Sequence, residues 1–531
     1  MLNSSTKHKV REILPNTTLQ LCCLCGGAKL YFGEKTKRRY MQNCVLCGNA
    51  PCDNACPKGV EPSRQLRSIW FDNEAYAAAR LPEENACSVC QAPCESFCVK
   101  RGEVPIRKMM NFLTEDVRPK LDIEVPEHEK ALQTELCGIP LENPFLLSSS
   151  VVASTYDMCA RAFEAGWAGA AFKTICAFDI HEASPRFSAI HSSDGSIMGF
   201  KNIEQLSDHS VPENMEIFHQ LKRDYTKKFI LASIMGRNDK EWEELARLCQ
   251  ENGADALELN FSCPNMMEEG LGSDIGQVPS LVERFTAAAR RGASIPILAK
   301  LTPNVASMGP AAEAARNGGA DGLAAINTIK SLMSVNLHTY VTSPAVRGKS
   351  AVGGYSGNAV KPIALRFIAE LGQNHKLSGM HISGMGGVET WRDALEFMML
   401  GAGSIQVTTA VMQYGYRIIE DLKAGLNYYL HEKGFSSVRD VVGLALDSVS
   451  DTTDVLERDS IVYPKFNRQT CIGCGRCEIS CMDGGHQAIH LDERRRPVLD
   501  PKRCVGCHLC VLVCPTDSIR SSGRRIYRSS N

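Results

Sequence analysis

A cysteine at the end of a buried strand is the first group in this sequence that could do chemistry. The stretch ALELNFSCPN, residues 256–265, begins with a short apolar alternation that predicts a buried strand, and its SCPN ending cannot extend a central strand. In a (β/α)8 barrel the loops after the strands converge on one mouth, where barrel enzymes place their catalytic groups. Cys263 is therefore the candidate catalytic residue; the alternative is a small buried cysteine that only packs.

Four groups of four cysteines indicate metal clusters. Thiolates are soft ligands that suit iron–sulfur clusters or zinc, so structural zinc is the alternative for the two N-terminal groups. Cys22, Cys23 and Cys25 precede them and are left unassigned. The N-terminal candidate ligands are Cys44, Cys47, Cys52, Cys56, Cys87, Cys90, Cys94 and Cys98, and the C-terminal ones are Cys471, Cys474, Cys477, Cys481, Cys504, Cys507, Cys510 and Cys514.

The two C-terminal groups share the spacing C-x2-C-x2-C-x3-C, which is typical of two-cluster ferredoxins. In that pattern the fourth cysteine of each run ligates the other cluster. This predicts that Cys514 completes the set of Cys471, Cys474 and Cys477, and that Cys481 completes the set of Cys504, Cys507 and Cys510.

The elements that must position these groups follow from hydrophobic periodicity. Helical periodicity between the N-terminal cysteine groups predicts a small helical domain. From about residue 131, strand and helix patterns alternate and predict a (β/α)8 TIM barrel, with a doubly wound open sheet as the alternative. The eight predicted strands lie at residues 145–150, 169–174, 229–236, 256–261, 297–302, 322–328, 380–385 and 404–409.

We expect four regions. They are an N-terminal α-helical double-cluster domain at residues 1–130, the barrel at 131–430, a linker at 431–460, and a ferredoxin-like two-cluster domain at 461–531.

Polar residues gather at the carboxyl ends of the predicted barrel strands. Two lysines, Lys173 and Lys300, indicate an anionic or electron-rich cofactor, and the glycine turns at 353–357 and 384–387 fit a phosphate site. The segment GLGSDIG, residues 270–276, is one residue too long for a dinucleotide fingerprint, so no nicotinamide site is expected. The other strand-end residues are Ser149, Thr174, Asn260, Asn327, Thr328, Gly386, Gly387, Thr408 and Thr409.

Composition narrows the function classes. Lys plus Arg is 59 and Asp plus Glu is 60 in 531 residues, so no global field attracts nucleic acid or an anionic membrane. The N-terminus lacks the apolar segment of a signal peptide and no long apolar run follows, so we expect a cytoplasmic protein that does not span a membrane. In a reducing compartment its 24 cysteines are not expected to form disulfides.

The N-terminal cysteine arrangement, with its PCDNACP element, resembles the double [4Fe-4S] domain of dihydropyrimidine dehydrogenases and of the small subunit of glutamate synthases. The resemblance covers residues 40–115. It implies one cluster on Cys44, Cys47, Cys52 and Cys98. The second cluster would take Cys56, Cys90 and Cys94, and Cys87 is the candidate fourth ligand.

The motifs NFSCPN, AKLTPN, INT, GGYSG and GMGG resemble the FMN barrel of dihydropyrimidine and dihydroorotate dehydrogenases over residues 135–430. The resemblance implies Cys263 as acid/base. It implies FMN contacts from Ser149, Lys173, Thr174, Lys300, Gly357, Gly386, Gly387, Thr408 and Thr409. It implies substrate contacts from Asn202, Glu204, Asn260, Ser262, Asn327 and Thr328.

Two positions separate the sister activities. The segment GFKNIEQL around Glu204 matches dihydropyrimidine dehydrogenases, and Glu204 would repel the carboxylate of orotate. Asn265 agrees instead with dihydroorotate dehydrogenases. The expected reaction reduces the C5=C6 bond of uracil or thymine, which needs a hydride from flavin and a proton from the opposite face. A thiol is protonated enough at neutral pH to supply that proton.

The whole chain resembles the catalytic subunits of bacterial dihydropyrimidine dehydrogenases, which implies FMN, four [4Fe-4S] clusters and an oligomer. A separate donor is expected, either a flavoprotein with FAD and a nicotinamide site or a ferredoxin. The alternatives are an enzyme for dihydroorotate or another activated ring, and an electron-transfer subunit with an inactive barrel.

Overall fold

The computed structural model describes residue 41 and residues 43–121, 129–192, 195–266, 270–450 and 455–527. The described residues divide into two units, one within Lys29–Val449 and one within Ser450–Asn531. Cys22, Cys23 and Cys25 lie outside the described residues. Among the described helices, none combines the length and apolarity needed to cross a bilayer.

Short helices build the N-terminal region. Three of them begin at a proline, Pro51, Pro62 and Pro93, whose fixed φ and missing N–H suit the first helical turn. Their apolar faces enclose a small core that includes Leu66 and Met109. The helices are Pro51–Asn54, Pro62–Trp70, Glu74–Arg80, Pro93–Phe97 and Ile106–Phe112, followed by a π turn at Leu113–Val117 and a 3-10 turn at Arg118–Lys120.

The predicted barrel is confirmed, and every predicted strand is present. The strands of the first unit are β1 (Thr134–Leu136), β2 (Ile139–Leu141), β3 (Phe145–Leu147), β4 (Gly169–Ile175), β5 (Phe187–His191), β6 (Ile197–Asn202), β7 (Phe229–Ile234), β8 (Ala256–Asn260), β9 (Ile297–Lys300), β10 (Gly322–Ala325), β11 (Ile329–Ser331), β12 (Gly353–Ser356), β13 (His381–Gly384) and β14 (Ser404–Val407). Strands β3, β4, β7, β8, β9, β10, β13 and β14 form a closed parallel barrel. Pairing of Ile405 in β14 with Phe145 in β3 closes the sheet and excludes the open doubly wound alternative.

A second sheet stands at the carboxyl side of the barrel. Strands β5 and β6 follow β4, strands β11 and β12 follow β10, and together they form a four-stranded sheet in the order β11, β12, β6, β5. Asn202 at the end of β6 pairs with Gly354 of β12. This sheet therefore brings a loop residue from one βα connection against a loop from another, and it was not predicted from the sequence.

Amphipathic helices surround the barrel and bury their apolar faces against it. The helices are Tyr156–Ala165, Val211–Asp224, Asp239–Glu251, Ser273–Gly276, Pro279–Gly292, Gly309–Asn317, Lys361–Gln373, Trp391–Met399, Thr409–Tyr414 and Ile418–Glu432. The chain after the last helix also packs on the barrel, because Gly443 and Ala445 donate backbone hydrogen bonds to the carbonyls of Met398 and Met399 at 2.9 Å.

Buried charges join the N-terminal helices to the barrel helix Ile418–Glu432. Asp421, fully buried, accepts from Arg67 Nε at 2.7 Å and from Ser68 Oγ at 2.5 Å. The neighbouring Glu420 accepts from Arg64 Nε at 2.8 Å and from Arg80 Nη1 at 3.0 Å. The N-terminal region is therefore part of the same packed unit as the barrel.

The C-terminal unit is small. Its elements are β15 (Ser460–Phe466), a helix at Arg476–Gly484, β16 (Ile489–Leu491), β17 (Pro497–Leu499), a helix at Leu509–Leu512 and β18 (Ile519–Tyr527). Strand β15 pairs antiparallel with β18, and β16 pairs with β17. One cluster of buried residues in this unit consists of Cys477, Cys481, Ala488, Ile489, Cys510, Cys514 and Ile519, so cysteines make up much of its core.

Candidate active site and cysteine-lined cavities

A cavity of about 1140 Å³ opens at the carboxyl ends of the barrel strands. Its wall contains almost every residue predicted for cofactor, substrate or acid/base roles: Ser149, Lys173, Thr174, Asn202, Glu204, Asn260, Cys263, Lys300, Asn327, Thr328, Gly357, Gly386, Gly387, Thr408 and Thr409. Ser262 is the exception. It is fully buried directly behind the wall. Its hydroxyl donates to Asn260 Oδ1 at 2.8 Å and accepts from Asn327 Nδ2 at 2.8 Å.

The Asn260 side chain is fixed by the strand-end loop that follows it. Its Oδ1 also accepts from the backbone N–H of Cys263 at 3.1 Å, so the amide folds the loop back on the strand. Its Nδ2 donates to Thr174 Oγ1 at 2.9 Å. The hydroxyl of Thr174 lies 2.8 Å from that of Ser233 on β7. The amides of Asn260 and Asn327 are therefore held in place from several strands.

Cys263 lies on the cavity wall, and its thiol is buried with 6% relative exposure. Burial raises the pKa of the Cys263 thiol to about 11, although Asn265 and Lys300 act in the opposite direction. A thiol with this pKa carries its proton throughout the neutral range. The group can therefore act as an acid toward a molecule in the cavity.

A cluster of four charged side chains lies at the Glu204 side of the cavity. Glu204 lies 3.6 Å from Lys173 Nζ and 3.4 Å from Arg186 Nη1. Glu182 lies 3.6 Å and 3.7 Å from the same two cations. Burial raises the pKa of Glu204, Glu182 raises it further, and the two cations lower it. Sequence reasoning missed Glu182 and Arg186 because neither lies at a strand end or in a quoted motif.

Asn202 and Asn265 meet at this same side. Asn265 Nδ2 donates to Asn202 Oδ1 at 3.0 Å and to the carbonyl of Glu204 at 2.7 Å. Asn202 Nδ2 donates to the carbonyl of Gly354 at 3.3 Å. The second sheet, together with the loop after β8, therefore positions both Asn202 and Glu204.

A network of buried polar side chains lies at the base of the cavity. Lys300 Nζ donates to Ser149 Oγ at 2.7 Å and lies 3.3 Å from Glu258 Oε1, and Gln406 Nε2 donates to Glu258 Oε2 at 3.0 Å. Gln406 Oε1 is buried and, among the described residues, has no hydrogen-bond partner. Glu258 and Gln406 were missed because they sit inside their strands, where the sequence pattern predicts only barrel filling.

The glycine-rich part of the wall leaves backbone bare. Gly386 and Gly387 have φ of 121° and 88°, and a Cβ on Gly387 would come within 2.9 Å of the Gly357 carbonyl oxygen. Thr408 Oγ1 lies 3.2 Å from Ser150 Oγ on the adjacent wall. Exposed backbone N–H groups in such turns bind phosphate. With the lysines and the unpartnered Gln406 oxygen, the cavity fits an FMN molecule.

Two cavities in the N-terminal region are each lined by four cysteines. The Cys44 cavity, about 350 Å³, has Cys44, Cys47, Cys52 and Cys98 on its wall. The Cys56 cavity, about 310 Å³, has Cys56, Cys87, Cys90 and Cys94. The grouping that the resemblance implies is therefore brought together in space, and Cys87 takes its place beside the other three thiols. Four thiols around one cavity fit a [4Fe-4S] cluster.

The C-terminal unit contains two further cavities of this kind. The Cys471 cavity, about 380 Å³, is lined by Cys471, Cys474, Cys477 and Cys514. The Cys504 cavity, about 350 Å³, is lined by Cys481, Cys504, Cys507 and Cys510. Backbone N–H groups point at the sulfurs, with Ala488 donating to Cys481 and Ser518 to Cys514 at 3.3 Å. Such hydrogen bonds stabilise the negative charge of cluster thiolates.

Comparison with known proteins finds the same two kinds of region. Residues 131–430 match the dihydroorotate dehydrogenase family model, and residues 465–521 match a 4Fe-4S dicluster domain. The chain is 51% identical over 391 residues to the NAD-dependent dihydropyrimidine dehydrogenase subunit PreA of Escherichia coli strain K12, across 73% of this chain and 95% of that protein.

Two relatives of lower identity are named for two different activities. Chloroplastic dihydropyrimidine dehydrogenase (NADP(+)) of Arabidopsis thaliana is 35% identical over 344 residues, covering 62% of this chain and 81% of the relative. The catalytic subunit of dihydroorotate dehydrogenase B (NAD(+)) of Pyrococcus horikoshii is 36% identical over 319 residues, covering 60% of this chain and 99% of the relative. The barrel is thus common to relatives that are named for different substrates.

Proposed function

Because this chain belongs to the dihydroorotate dehydrogenase family of flavin-dependent oxidoreductases, we propose that it reduces the C5=C6 bond of uracil and thymine to the 5,6-dihydropyrimidine. The enzyme class, an oxidoreductase of CH–CH groups with a 4Fe-4S region for electron transfer, follows from the family and its relatives. The pyrimidine substrate is our proposal. It is supported by the name of the bacterial relative, which is 51% identical to this chain.

The observation that carries the proposal is the buried thiol of Cys263 on the wall of the same cavity as three amide side chains. Asn202, Asn260 and Asn327 each use one N–H of the amide inside the protein, so the second N–H of each can donate to the C=O groups of a uracil ring. The hydrogen bonds of Ser262 and Thr174 hold two of these amides before any ligand enters. Such preorganisation favours a planar ring with polar edges.

Bound FMN would supply hydride to one carbon of the ring, and the other carbon must receive a proton. Lys173, Lys300, Gly386, Gly387 and Thr408 would hold the cofactor. Cys263 Sγ would give its proton to the second carbon, and its burial keeps that proton in place at neutral pH. In the reverse direction the thiolate of Cys263 would take a proton from the same carbon.

Glu204 supports a neutral ring as substrate. Its carboxylate can accept from a ring N–H, and it would repel a carboxylate on the substrate. Its buried Oε1 makes ion pairs with Lys173 and Arg186 and, among the described residues, no hydrogen bond of good geometry, so it can still accept from a ring N–H. Lys173 and Arg186 at 3.6 Å and 3.4 Å favour the ionised form.

Electrons would arrive through iron–sulfur clusters. We propose four [4Fe-4S] clusters, one in each of the four cysteine-lined cavities. We further propose that a separate protein reduces them, either a flavoprotein with FAD and a nicotinamide site or a ferredoxin. A hydride carries two electrons, and these must be separated before iron–sulfur clusters can carry them one at a time.

A second candidate substrate is dihydroorotate. The Pyrococcus horikoshii relative is named for it, and Arg186 supplies a cation that could pair with a substrate carboxylate close to Glu204. The two candidates differ by that one carboxylate, so a direct substrate comparison separates them.

The test is an anaerobic assay of the full chain, reconstituted with FMN, iron and sulfide and reduced by a viologen dye. We expect reduction of uracil and thymine and little activity with orotate, and no turnover with NADH or NADPH in the absence of a second protein. Preference for orotate would replace the pyrimidine assignment with the dihydroorotate one. Absence of turnover with every ring substrate, in protein with bound FMN and clusters, would indicate an electron-transfer subunit.

A further inference from the structure

An arginine of the barrel donates hydrogen bonds to the cysteine loop of the Cys44 cavity. Arg417 Nη1 donates to the carbonyl of Cys47 at 3.0 Å, and Arg417 Nη2 donates to the carbonyl of Leu46. Leu46 lies on the wall of that cavity and also packs against the apolar core of the barrel. The loop between Cys44 and Cys47 is therefore held between the cavity and the barrel.

Arg417 also connects this loop to the flavin end of the barrel. Its Nε donates to the carbonyl of Tyr414 at 3.2 Å, at the end of the helix Thr409–Tyr414. That helix begins at Thr409, which lines the large cavity. Six helical residues span only about 9 Å, so one short helix separates the arginine from the cavity wall.

Among the described residues, no carboxylate lies within ion-pair distance of the Arg417 guanidinium, although the charge of Asp421 acts on it from further away. The two carboxylates that follow it in the chain, Glu420 and Asp421, are bound by arginines of the N-terminal helices. Within the described part of the chain, Arg417 makes no ion pair, and its three hydrogen bonds go to backbone carbonyls. A half-buried charge is screened less by solvent than an exposed one, so it acts more strongly on the anionic groups around it, which here include Cys44 and Cys47.

We propose that Arg417 sets the reduction potential of the cluster held by Cys44, Cys47, Cys52 and Cys98, and fastens that cluster to the flavin end of the barrel. Reduction adds one negative charge to a cluster, so a nearby cation stabilises the reduced form and raises its potential. The inference depends on the proposed [4Fe-4S] content. It does not depend on which ring the enzyme reduces, because potentials are measured without substrate.

The Cys56 cavity provides a matched control. Arg107 Nη1 donates to the carbonyl of Cys90 at 2.9 Å, in the same relation to its cysteine loop, and it lines that cavity. Arg107 is exposed and belongs to the N-terminal helices, whereas Arg417 is partly buried and belongs to the barrel. Water and salt screen an exposed charge, so Arg107 should influence its cluster less.

The experiment is a redox titration of the full chain, followed by electron paramagnetic resonance, in the parent and in R417Q, R417K and R107Q. The signal of the Cys44-cavity cluster is identified as the one that Cys47→Ser removes. At the parent midpoint potential of this cluster, R417Q should raise its ratio of oxidised to reduced form about tenfold, which for one electron corresponds to about 59 mV. R417K should move the same signal in the same direction by a smaller amount.

R107Q should leave this signal in place, and the remaining signals should not move in R417Q. An unshifted signal in R417Q, or an equal shift of it in R107Q, would overturn the proposal. If R417Q is recovered with about four fewer iron atoms than the parent, R417M, which keeps much of the side-chain length and removes the charge, is titrated in its place, and an unshifted signal there overturns the proposal equally.

Discussion

The two cysteine-rich regions of this chain build the same kind of four-thiol cavity on different supports. In the N-terminal region, the cavities are set in a helical core with residues such as Leu66, Ile69 and Met110, and buried ion pairs join that core to the barrel. In the C-terminal unit, Cys477, Cys481, Cys510 and Cys514 are four of the seven residues in the buried cluster.

The difference concerns what each region needs in order to fold. A small domain whose core consists of ligand side chains depends on the bound metal for much of its folding free energy. A helical core docked on a barrel has apolar burial and tertiary contacts of its own. Experiments on the two regions can separate these two modes of support.

Removing the clusters should unfold the C-terminal unit and leave the N-terminal helices folded. Chelation of iron under reducing conditions, followed by hydrogen exchange and mass spectrometry, should show loss of protection throughout residues 460–527. The helix Pro62–Trp70, which packs on the barrel, should keep its protection. Equal loss of protection in both regions would show that the two modes of support do not differ.

Asp421→Ala should destabilise the unit Lys29–Val449 by about 3 kcal/mol, because Arg67 Nε and Ser68 Oγ lose their buried acceptor and Arg67 keeps only Glu420 as an ion-pair partner. Chemical denaturation followed by tryptophan fluorescence measures the change. Glu251→Ala is the control, since its pair with Arg247 is exposed at both ends and should contribute at most about 1 kcal/mol. Equal effects of the two substitutions would contradict the docking role of Asp421.

Cys87→Ser should remove one cluster and no more. Iron and acid-labile sulfide should fall from about sixteen of each per chain to about twelve, because Cys87 lies in the Cys56 cavity and in no other. Cys474→Ser is the matched change in the C-terminal unit and should cause the same loss from the Cys471 cavity. An unchanged iron content in Cys87→Ser would mean that another group completes the second N-terminal cluster. Zinc in place of iron in the N-terminal region would exclude that region from electron transfer.

The pH dependence of turnover concerns the barrel site and neither of the cluster regions, because it depends on proton transfer by Cys263. Since burial raises the pKa of the Cys263 thiol to about 11, the thiol stays protonated, and ring reduction should vary little from about pH 6 to about pH 9. The reverse reaction needs the thiolate, so its rate should rise with pH over that range. Glu389, on the cavity wall with a pKa raised by burial to about 7, is the competing source of a pH effect.

The comparison for this prediction is Glu389→Gln, which should keep the rise of the reverse reaction with pH. A rise that disappears in Glu389→Gln would assign it to Glu389 and not to Cys263.

The strands of the barrel could be predicted from the sequence, whereas the second sheet at its mouth could not. All eight barrel strands were readable because buried strands such as residues 229–234 form short apolar runs between amphipathic helices. The second sheet at the mouth was not predicted, because β5, β11 and β12 are short and only partly buried, so their hydrophobic alternation is weak.

Within the site, strand-end residues could be found and residues inside strands could not. Asn260 and Lys300 stand where polar side chains interrupt an apolar run, which marks them in the sequence. Glu258 and Gln406 lie within strands, and their partnership across the barrel depends on closure of the sheet. The pairing of Arg186 with Glu204 depends on a loop conformation that no local pattern encodes.

The most direct test of the proposed chemistry is Cys263→Ala, with bound-flavin absorbance, cluster content and uracil turnover measured on the same sample. The thiol is assigned to proton transfer and not to cofactor binding. We therefore expect unchanged flavin and iron, and turnover lower by about 10²–10⁴-fold. Turnover within a few-fold of the parent would contradict the account, because another group would then deliver the proton.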